Sequence, residues 1–249
     1  MIVTAHQPEH LPWLGYFHKM ALADCYVFMD TSQYRHRYFQ NRNQILGIRE
    51  AQWLTVPVRK QCSRYGPLLE VAIDDETPWQ HKYWKSIAYH YARHPYFAHY
   101  AEALERILMA PHTKLVELNY ALIDFFRTAL GITTPLLRAS ALGATGFKTD
   151  LIHDICLKAK ASVYLSGPSG RDYLQEAPLR QSGIGVCYHD FKHPSYPQHG
   201  KKQFTPQLST LDLLMNCGPQ SREVLGLDAL QDIRRSLVEA AASPLATLR

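Results

Sequence analysis

The first 30 residues contain a strand, a helix and a second strand, and this unit restricts the fold more than any other part of the chain. The apolar run Ile2–Ala5 predicts a buried strand. Pro12 suits the first turn of a helix, and apolar residues recur at helical spacing from Trp13 to Ala23. A second apolar strand is predicted at Cys25–Met29. A helical crossover between them implies that the two strands are neighbours and parallel.

Strand and helix patterns alternate along the remaining chain, except in one stretch. Residues 75–131 carry three successive helical patterns, at Trp79–Tyr91, Ala98–Met109 and Thr113–Leu130. Later strands are expected at Pro135–Arg138, Ser162–Ser166 and Gly185–His189. The sheet is expected to be extended by two β-rich segments, Trp53–Val58 and Leu69–Ile73. These patterns predict an open, mostly parallel, Rossmann-like α/β sheet in a single domain, residues 1–249, with a helical sub-domain at about 75–131.

The composition is that of an ordinary globular protein, with 46% apolar and 20% charged residues. No run of about 18 apolar residues occurs, so no membrane span is expected. The five cysteines are scattered and never form a C-x-x-C pair, which favours reduced thiols in the cytoplasm over disulfides or a zinc site. The net charge of +5 favours an anionic small molecule as partner. It is too small to be typical of a nucleic-acid-binding surface.

Polar residues follow the predicted parallel strands at the point where each strand ends. His6 and Gln7 follow the first strand, and Asp30 closes the second. Ser166 and the loop that leads to Tyr173 follow a later strand. In an open parallel sheet, ligands bind beyond the carboxyl ends of the strands, where the connections diverge. The sequence therefore predicts a ligand site at this edge of the sheet.

The segment YLSGPSGRDYL, residues 164–174, has the composition of an anion-binding loop. Gly167 and Gly170 allow a ligand to approach the backbone closely. Ser169 can cap a following helix, and Arg171 can pair with a phosphate or a carboxylate. The alternative is an ordinary strand-to-helix turn, which prefers the same residue types. The segment is not a Walker loop, because the terminal Gly-Lys-Ser/Thr is missing.

The segment FQNRN, residues 39–43, offers several hydrogen-bond donors and acceptors. The side chains of Asn41, Arg42 and Asn43 can recognise a sugar or the edge of a nucleotide. A solvated hairpin would contain the same residue types. Both interpretations remain open at this point.

The segment HQPEH, residues 6–10, has three interpretations. His6 and His10 could bind a metal, but Pro8 and Pro12 oppose a regular helix there, and no cysteine or acidic pair completes a zinc set. A histidine at a strand end can instead stabilise a phosphate or act as an acid or base near neutral pH. The third interpretation is a structural histidine with satisfied hydrogen bonds.

Five motifs in the same order resemble the WbqC-like protein family: HQPEHLPWLGYF, FQNRN, YLSGPSGRDYL, YPQ and LSTLDLLMNCG. The resemblance extends from residue 1 to about 218. It implies a bacterial protein associated with surface-polysaccharide gene clusters, in O-antigen and lipopolysaccharide biosynthesis, where amino sugars are made and modified. The matching positions include Ser209, Asp212 and Asn216 besides those of the earlier motifs. One departure is His10, where the family usually has an aromatic residue, so no role is assigned to His10.

A second likeness concerns the start of the chain alone. A strand, a histidine cluster, a helix and a second apolar strand also open the HIGH-motif nucleotidylyltransferases and pantothenate synthetase. The histidines here have the spacing H-x-x-x-H, without a glycine before His10, and no KMSKS-type lysine loop is evident. Lys201 and Lys202 form the one candidate for such a loop.

These features favour an enzyme that transfers an acyl or aminoacyl group to the amine of a nucleotide-linked amino sugar. His6 is the predicted acid, base or phosphate ligand, and Asp30 and Asn41 are predicted to orient the acceptor. The predicted substrate-binding residues are Gln7, Trp13, Arg42, Asn43, Ser166, Gly167, Ser169, Gly170, Arg171, Asp172, Tyr173, Tyr196 and Gln198. No metal-binding residue is predicted. The cofactor stays open between a nucleotide with Mg²⁺ and acyl-CoA.

Two other functions agree with the same sequence. A nucleotidylyltransferase or an adenylate-forming ligase would explain the likeness to the HIGH-motif enzymes. A non-enzymatic protein that binds nucleic acid or glycan would explain the positive charge and the abundance of tyrosine. Binding of ATP or CTP with magnesium supports the first, and steep salt dependence of nucleic-acid binding supports the second.

Overall fold

Seven strands form two sheets in the computed structural model, which describes residues 1–59 and 66–242. The strands are β1 (Ile2–His6), β2 (Cys25–Phe28), β3 (Arg42–Leu46), β4 (Ala51–Thr55), β5 (Leu136–Arg138), β6 (Val163–Ser166) and β7 (Gly185–Tyr188). Five of them form an open parallel sheet in the order β5-β2-β1-β6-β7. The predicted Rossmann-like α/β fold is confirmed, and this sheet is parallel throughout.

The strand order creates one switch point, between β1 and β6. From β1 the chain moves outward to β2, where His6 pairs with Phe28. After β5 the chain returns across the sheet and places β6 on the other side of β1, where Ile2 pairs with Val163. The connections that leave β1 and β6 therefore diverge, which opens a crevice at the carboxyl ends of these two strands.

The two β-rich segments before residue 75 do not extend the parallel sheet as expected. β3 and β4 form a separate antiparallel hairpin, in which Asn43 pairs with Leu54. The segment Leu69–Ile73 is not a regular strand: a 3₁₀ turn at Leu68–Glu70 is followed by single antiparallel bridges from Ala72 to Lys114 and from Ile73 to Val58. Apolar alternation in so short a segment fits a buried turn as well as a strand, because both place Leu68 and Val71 in the core.

The helices are α1 (Leu14–Leu22), α2 (Trp79–Tyr91), α3 (Phe97–Met109), α4 (Leu115–Ala129), α5 (Thr149–Lys158), α6 (Glu176–Gln181), α7 (Thr210–Cys217), α8 (Ser221–Val224) and α9 (Leu230–Ala242). The three helices predicted between residues 75 and 131 are confirmed as α2, α3 and α4, with ends that differ by one or two residues. Among the described residues, no helix is both long and apolar enough to cross a membrane.

Helices cover both faces of the parallel sheet. Alternate strand residues point to opposite faces, so Ile2 packs with α1 and α4, whereas Val3 packs with α5 and α6. α1 is buried on nearly all sides. It nevertheless contains two polar residues, His18 and Lys19, and both are buried.

The cysteines that the structure describes are four buried free thiols: Cys25, Cys156, Cys187 and Cys217. Burial raises the pKa of each of these thiols above the ordinary value. They are therefore protonated at neutral pH and unsuited to act as nucleophiles. Cys62, the fifth cysteine of the sequence, lies outside the described residues.

Candidate functional site

The crevice between β1 and β6 brings together two of the predicted polar segments. His6 ends β1 and Ser166 ends β6, and the two strands are neighbours in the sheet. The backbone continues the sheet beyond both ends, because Met29 N donates to His6 O and His189 N donates to Ser166 O, each at 2.8 Å. The segments that begin at His6, Ser166 and His189 thus share one rim of the molecule.

The imidazole of His6, at the end of β1, has a defined tautomer. Its Nδ1 lies 3.1 Å from Gln7 O, a carbonyl that can only accept, so Nδ1 carries the hydrogen. Nε2 is consequently the unprotonated nitrogen. Burial, the Lys19 ammonium and His189 lower the pKa of His6 to about 3. The ring is neutral at pH 7, and its side chain is still 31% exposed.

Two buried residues of opposite charge lie beside His6. Glu9 Oε1 is 3.8 Å from His6 Nδ1, whereas Glu9 Oε2 has no hydrogen-bond partner among the described residues. Lys19 reaches from α1 to the end of β1, where Nζ donates to Ala5 O at 3.2 Å. Burial raises the pKa of Glu9 to about 7 and lowers the pKa of Lys19 to about 7, each opposed by the other's charge. Both groups can therefore change protonation state near neutral pH.

Two further imidazoles, those of His18 and His189, form a pair next to Lys19. His18 Nδ1 and His189 Nε2 are 2.8 Å apart, so one of these nitrogens carries a hydrogen and the other accepts it. The two rings stack, with Phe191 against both. Burial lowers the pKa of His18 to about 4, and burial, His18 and Lys19 lower the pKa of His189 to about 3. Both rings are neutral at pH 7.

The loop after β6 forms one wall of the crevice. Residues Pro168–Asp172 form a 3₁₀ turn, and Gly167 precedes it in the N-cap position that the sequence suggested for Ser169. A side chain at Gly170 would place Cβ 1.9 Å from Ser166 Oγ, so glycine is required for this close approach. Ser169, Asp172 and Tyr173 are exposed on the loop.

The chain after β2 contacts the segment that follows His6. Gln40 Nε2 donates to Gln7 Oε1 at 2.7 Å, which ties this segment to the residue after His6. At the far side, burial and the nearby Tyr38 phenol raise the pKa of Tyr173. Tyr38, which directly precedes the FQNRN segment, therefore lies near Tyr173 at the end of the loop after β6.

The amides predicted to contact a ligand instead bind the backbone. Asn41 Nδ2 donates to Val56 O at 2.8 Å, and Asn43 Nδ2 donates to Leu11 O at 2.8 Å. Both residues are buried. They fix the hairpin and the segment after His6, and their roles in catalysis and binding stay predictions.

Trp13 and His10 also pack inside the molecule. The Trp13 indole lies over Gly15, where no Cβ would fit, and against Phe191. His10 is fully buried between Asn119 Oδ1, at 3.0 Å, and Tyr83 OH, at 2.6 Å. These contacts are those of a structural histidine.

Arginines on the carboxyl-end side of the sheet stack on aromatic rings. The guanidinium carbons lie 4.3 to 4.4 Å from the ring centroids in the pairs Arg35–Tyr38, Arg42–Trp53, Arg138–Tyr120 and Arg171–Tyr188. In the part of the chain that the structure describes, none of the four forms an ion pair with a carboxylate. Stacking keeps these cations ordered. Arg42 also donates to Arg37 O, whereas the other three guanidinium groups have no acceptor among the described residues and stay available to an anion.

Asp30 lines a separate cleft of about 410 Å³ at the ends of β2 and β5. Its carboxylate accepts hydrogen bonds from Ser140 N at 3.0 Å, from Ser140 Oγ and from Tyr120 OH at 3.1 Å. The cleft is also lined by Lys114 and Arg138. Asp30 thus lies on the predicted edge of the sheet, where it already accepts three hydrogen bonds from the protein.

The YPQ and LSTLDLLMNCG motifs meet around one buried carboxylate. Asp212 accepts from Tyr91 OH at 3.0 Å, from Tyr196 OH at 2.9 Å and from Gln198 Nε2 at 2.8 Å. We call these four residues the Asp212 cluster. It anchors the long segment after β7 to α2 and α7. Ser209 caps α7 and Asn216 binds the backbone of His199.

Sequence patterns alone missed Glu9, Lys19 and His18 as site residues. His18 and Lys19 lie among apolar residues of α1, and the sequence alone does not show which side of this helix faces the edge of the sheet. One signal was present: apolar residues occupy nearly all other positions of α1, so the helix has no polar side on which Lys19 could be exposed. Among the described residues, no group of three or more His, Cys, Asp or Glu side chains is arranged to hold a metal ion.

The chain belongs to the WbqC-like protein family, whose model matches residues 7–224. It is similar to a Mycobacterium tuberculosis protein named "Uncharacterized protein Rv1507c", with 33% identity over 225 residues that span 90% of this chain and 96% of the relative. No solved structure matches the chain. The matched region includes every candidate residue except His6, which directly precedes it.

Proposed function

We propose that the protein is a transferase of bacterial surface-polysaccharide metabolism that attaches an acyl or aminoacyl group to the amine of a nucleotide-linked amino sugar. The observation that carries the proposal is the crevice between β1 and β6, where a half-exposed, neutral His6 presents an unprotonated Nε2. Open parallel sheets bind ligands at this position. The family resemblance supports the substrate class.

The reaction requires a proton acceptor at the amine. The amine nitrogen attacks the carbonyl carbon of an acyl thioester, and a C–N bond forms. Collapse of the tetrahedral adduct breaks the C–S bond. His6 Nε2 accepts the proton that the nitrogen loses and returns it to the departing thiolate. Since Nδ1 donates to Gln7 O, Nε2 is the nitrogen that remains free to accept a proton.

The charges around His6 suit an anionic substrate. Burial and, to a smaller extent, the Lys19 ammonium lower the pKa of His6 to about 3 in the free protein. A bound diphosphate would offset the positive charge of Lys19 and remove that part of the shift, which makes the ring a stronger base. The stacked arginines, Arg171 among them, supply further positive charge near the substrate.

A screen followed by a turnover assay tests this proposal. We expect sugar nucleotides to raise the melting temperature more than free nucleosides do, and an amino-sugar nucleotide with an acyl thioester to yield an amide detectable by mass spectrometry. His6→Asn should lower turnover by about 100-fold or more with little change in melting temperature. His36→Asn, on the exposed loop after β2, is the matched control.

Two outcomes would overturn the proposal. One is turnover of ATP or CTP with release of pyrophosphate, which would indicate nucleotidyl transfer. The other is wild-type turnover in His6→Asn, which would show that the imidazole takes no part in proton transfer.

A further inference from the structure

Lys19 is a buried ammonium whose hydrogen-bonding capacity is largely unused. Its side chain is 3% exposed. Its ammonium group has three N–H donors, and the structure shows a hydrogen bond for one of them, to Ala5 O. Glu9 is the carboxylate near enough to influence it, but no direct ion pair joins the two within the described residues. A buried cation without an anionic partner lowers the stability of the fold unless it binds an anion or loses its proton.

The other groups that face Lys19 are neutral imidazoles. His6 at the end of β1 and His189 beyond β7 both feel the charge of the Lys19 ammonium. His18, the preceding residue on α1, is hydrogen-bonded to His189. Glu9 is thus the single anionic group that acts on the lysine from these elements.

Space exists beside the lysine, at the end of β6. A Cβ built on Gly167 would have one described atom within 4 Å, Lys19 Nζ at 3.8 Å. The backbone there has φ −68° and ψ 165°, a conformation open to any residue. Neither strain nor a clash therefore requires glycine at this position, in contrast to Gly170. Glycine at 167 instead leaves room for another atom next to Nζ.

We infer that a phosphate oxygen binds in the space beside Gly167, with Lys19 Nζ as its buried cationic ligand. The inference deepens the proposed function, on which it rests, because a sugar nucleotide carries a diphosphate. The remaining N–H donors of Lys19 would bind the oxygen. The position is the floor of the crevice between β1 and β6, so the phosphate anchors the substrate beneath His6.

Binding of an anion to Lys19 has a measurable consequence. Burial lowers the pKa of Lys19 to about 7, so at pH 8 most of the free protein has a neutral amine. A bound phosphate favours the charged form and raises that pKa. The protein should therefore take up close to one proton per bound anion at pH 8, and little at pH 6.

Calorimetry with inorganic pyrophosphate as the probe tests the site. Titrations at pH 8 in two buffers of different ionisation enthalpy give the affinity and the number of protons taken up. We expect Lys19→Met to weaken binding at least about tenfold and to remove the proton uptake seen with the wild type. The difference between the two proteins cancels the titration of pyrophosphate itself. Lys85→Met, on the exposed side of α2, is the charge-matched control.

Gly167→Ala provides a second, independent variant. Its methyl group would occupy the space beside Nζ at ordinary contact distance, without backbone strain. We expect unchanged stability and binding weakened by about tenfold or more. Citrate, a tricarboxylate that carries the same charge as the main form of pyrophosphate at pH 8, should bind more weakly than pyrophosphate; tighter binding of citrate would assign the space to a carboxylate.

The inference is overturned if pyrophosphate does not bind the wild type, or if it binds Lys19→Met and Gly167→Ala with wild-type affinity. This experiment uses neither an amine nor an acyl donor. Lys19-dependent binding in a protein without transferase activity would therefore disprove the proposed function and leave the phosphate site intact.

Discussion

The Asp212 cluster and the crevice between β1 and β6 are both buried and polar, yet they differ in how their hydrogen bonds are satisfied. Asp212 accepts three hydrogen bonds of 2.8 to 3.0 Å from neutral donors. At the crevice, Glu9 Oε2 has no partner among the described residues, and Lys19 has one carbonyl. A network in which every buried polar group is hydrogen-bonded stabilises a single packing arrangement, whereas buried polar groups without partners lower the free energy of unfolding. The Asp212 cluster therefore fits a role in holding the fold, whereas Glu9 and Lys19 keep unused hydrogen-bonding capacity, as the proposed ligand site requires.

The largest effect on stability is expected within the Asp212 cluster. Asp212→Ala removes the common acceptor and leaves two tyrosine hydroxyls and the Gln198 amide without it, at a cost of about 4 kcal/mol in the free energy of unfolding. Urea unfolding measures this change. Asp232→Ala, at an exposed position of α9, is the control and should change the free energy by less than about 0.5 kcal/mol. A comparable loss in both variants would contradict the assignment.

The two glycines of the crevice wall should respond differently to alanine. Gly170→Ala places Cβ 1.9 Å from Ser166 Oγ and should destabilise the protein by about 1.5 kcal/mol through overpacking. Gly167→Ala meets Lys19 Nζ alone at 3.8 Å and should leave the midpoint of unfolding unchanged. Ser166→Ala combined with Gly170→Ala should recover part of the loss. Equal destabilisation by both single variants would show that the wall is packed throughout.

Acid should lower the stability of the folded protein through the buried imidazole pair of His18 and His189. The folded-state pKa of His18 is about 4, below the unfolded value of about 6.5. The unfolded chain therefore binds a proton that the folded protein does not, and stability falls as pH decreases from about 6.5 toward 4. Glu9, with its raised pKa, has the opposite effect between about 4.5 and 7.

Substituting one imidazole shows how much that ring contributes to the slope of the unfolding free energy against pH. In His18→Gln this slope should be smaller than in the wild type by about 1 kcal/mol per pH unit, measured by urea unfolding at pH 6.5, 5.5 and 4.5. His36→Gln, on the exposed loop, should leave the slope unchanged. A slope that is equal in the wild type and in His18→Gln would contradict the burial of a neutral ring at this position.

The smallest effect on stability, and the one of opposite sign, is expected at Lys19. Lys19→Met removes a buried charge that no ion pair compensates, so the free energy of unfolding should stay the same or rise by up to about 1 kcal/mol. Turnover should nevertheless fall. A destabilisation of more than about 2 kcal/mol would place Lys19 with Asp212, among residues that hold the fold.

Much of the fold could be predicted from local patterns. The crossover from Ile2 to Phe28 and the three helices of residues 75–131 follow from apolar spacing, which each segment shows by itself. The hairpin of β3 and β4 could not be assigned to its own sheet, because pairing partners are set by tertiary contacts. For the same reason, the sequence could not show that the segment Leu69–Ile73 begins in a 3₁₀ turn and pairs only through single bridges.

The candidate site could be predicted in position but not in composition. Polar residues at strand ends located the edge of the sheet, and His6 and Ser166 lie on neighbouring strands there. The sequence could not show that Asn41 and Asn43 bind backbone carbonyls, since amides that hold a loop and amides that bind a ligand have the same composition. Nor could it show that Lys19, which follows His6 by 13 residues, reaches back to the end of β1.

The histidine ring resonances provide the most direct test that the crevice between β1 and β6 is the functional site. The sugar nucleotide that stabilises the protein most is titrated into labelled protein while the imidazole nitrogen shifts are followed. We predict shifts at His6, His18 and His189, with His10 and His94 unchanged. Shifts at His94, which packs beside Tyr91 of the Asp212 cluster, with none at His6, would contradict the account.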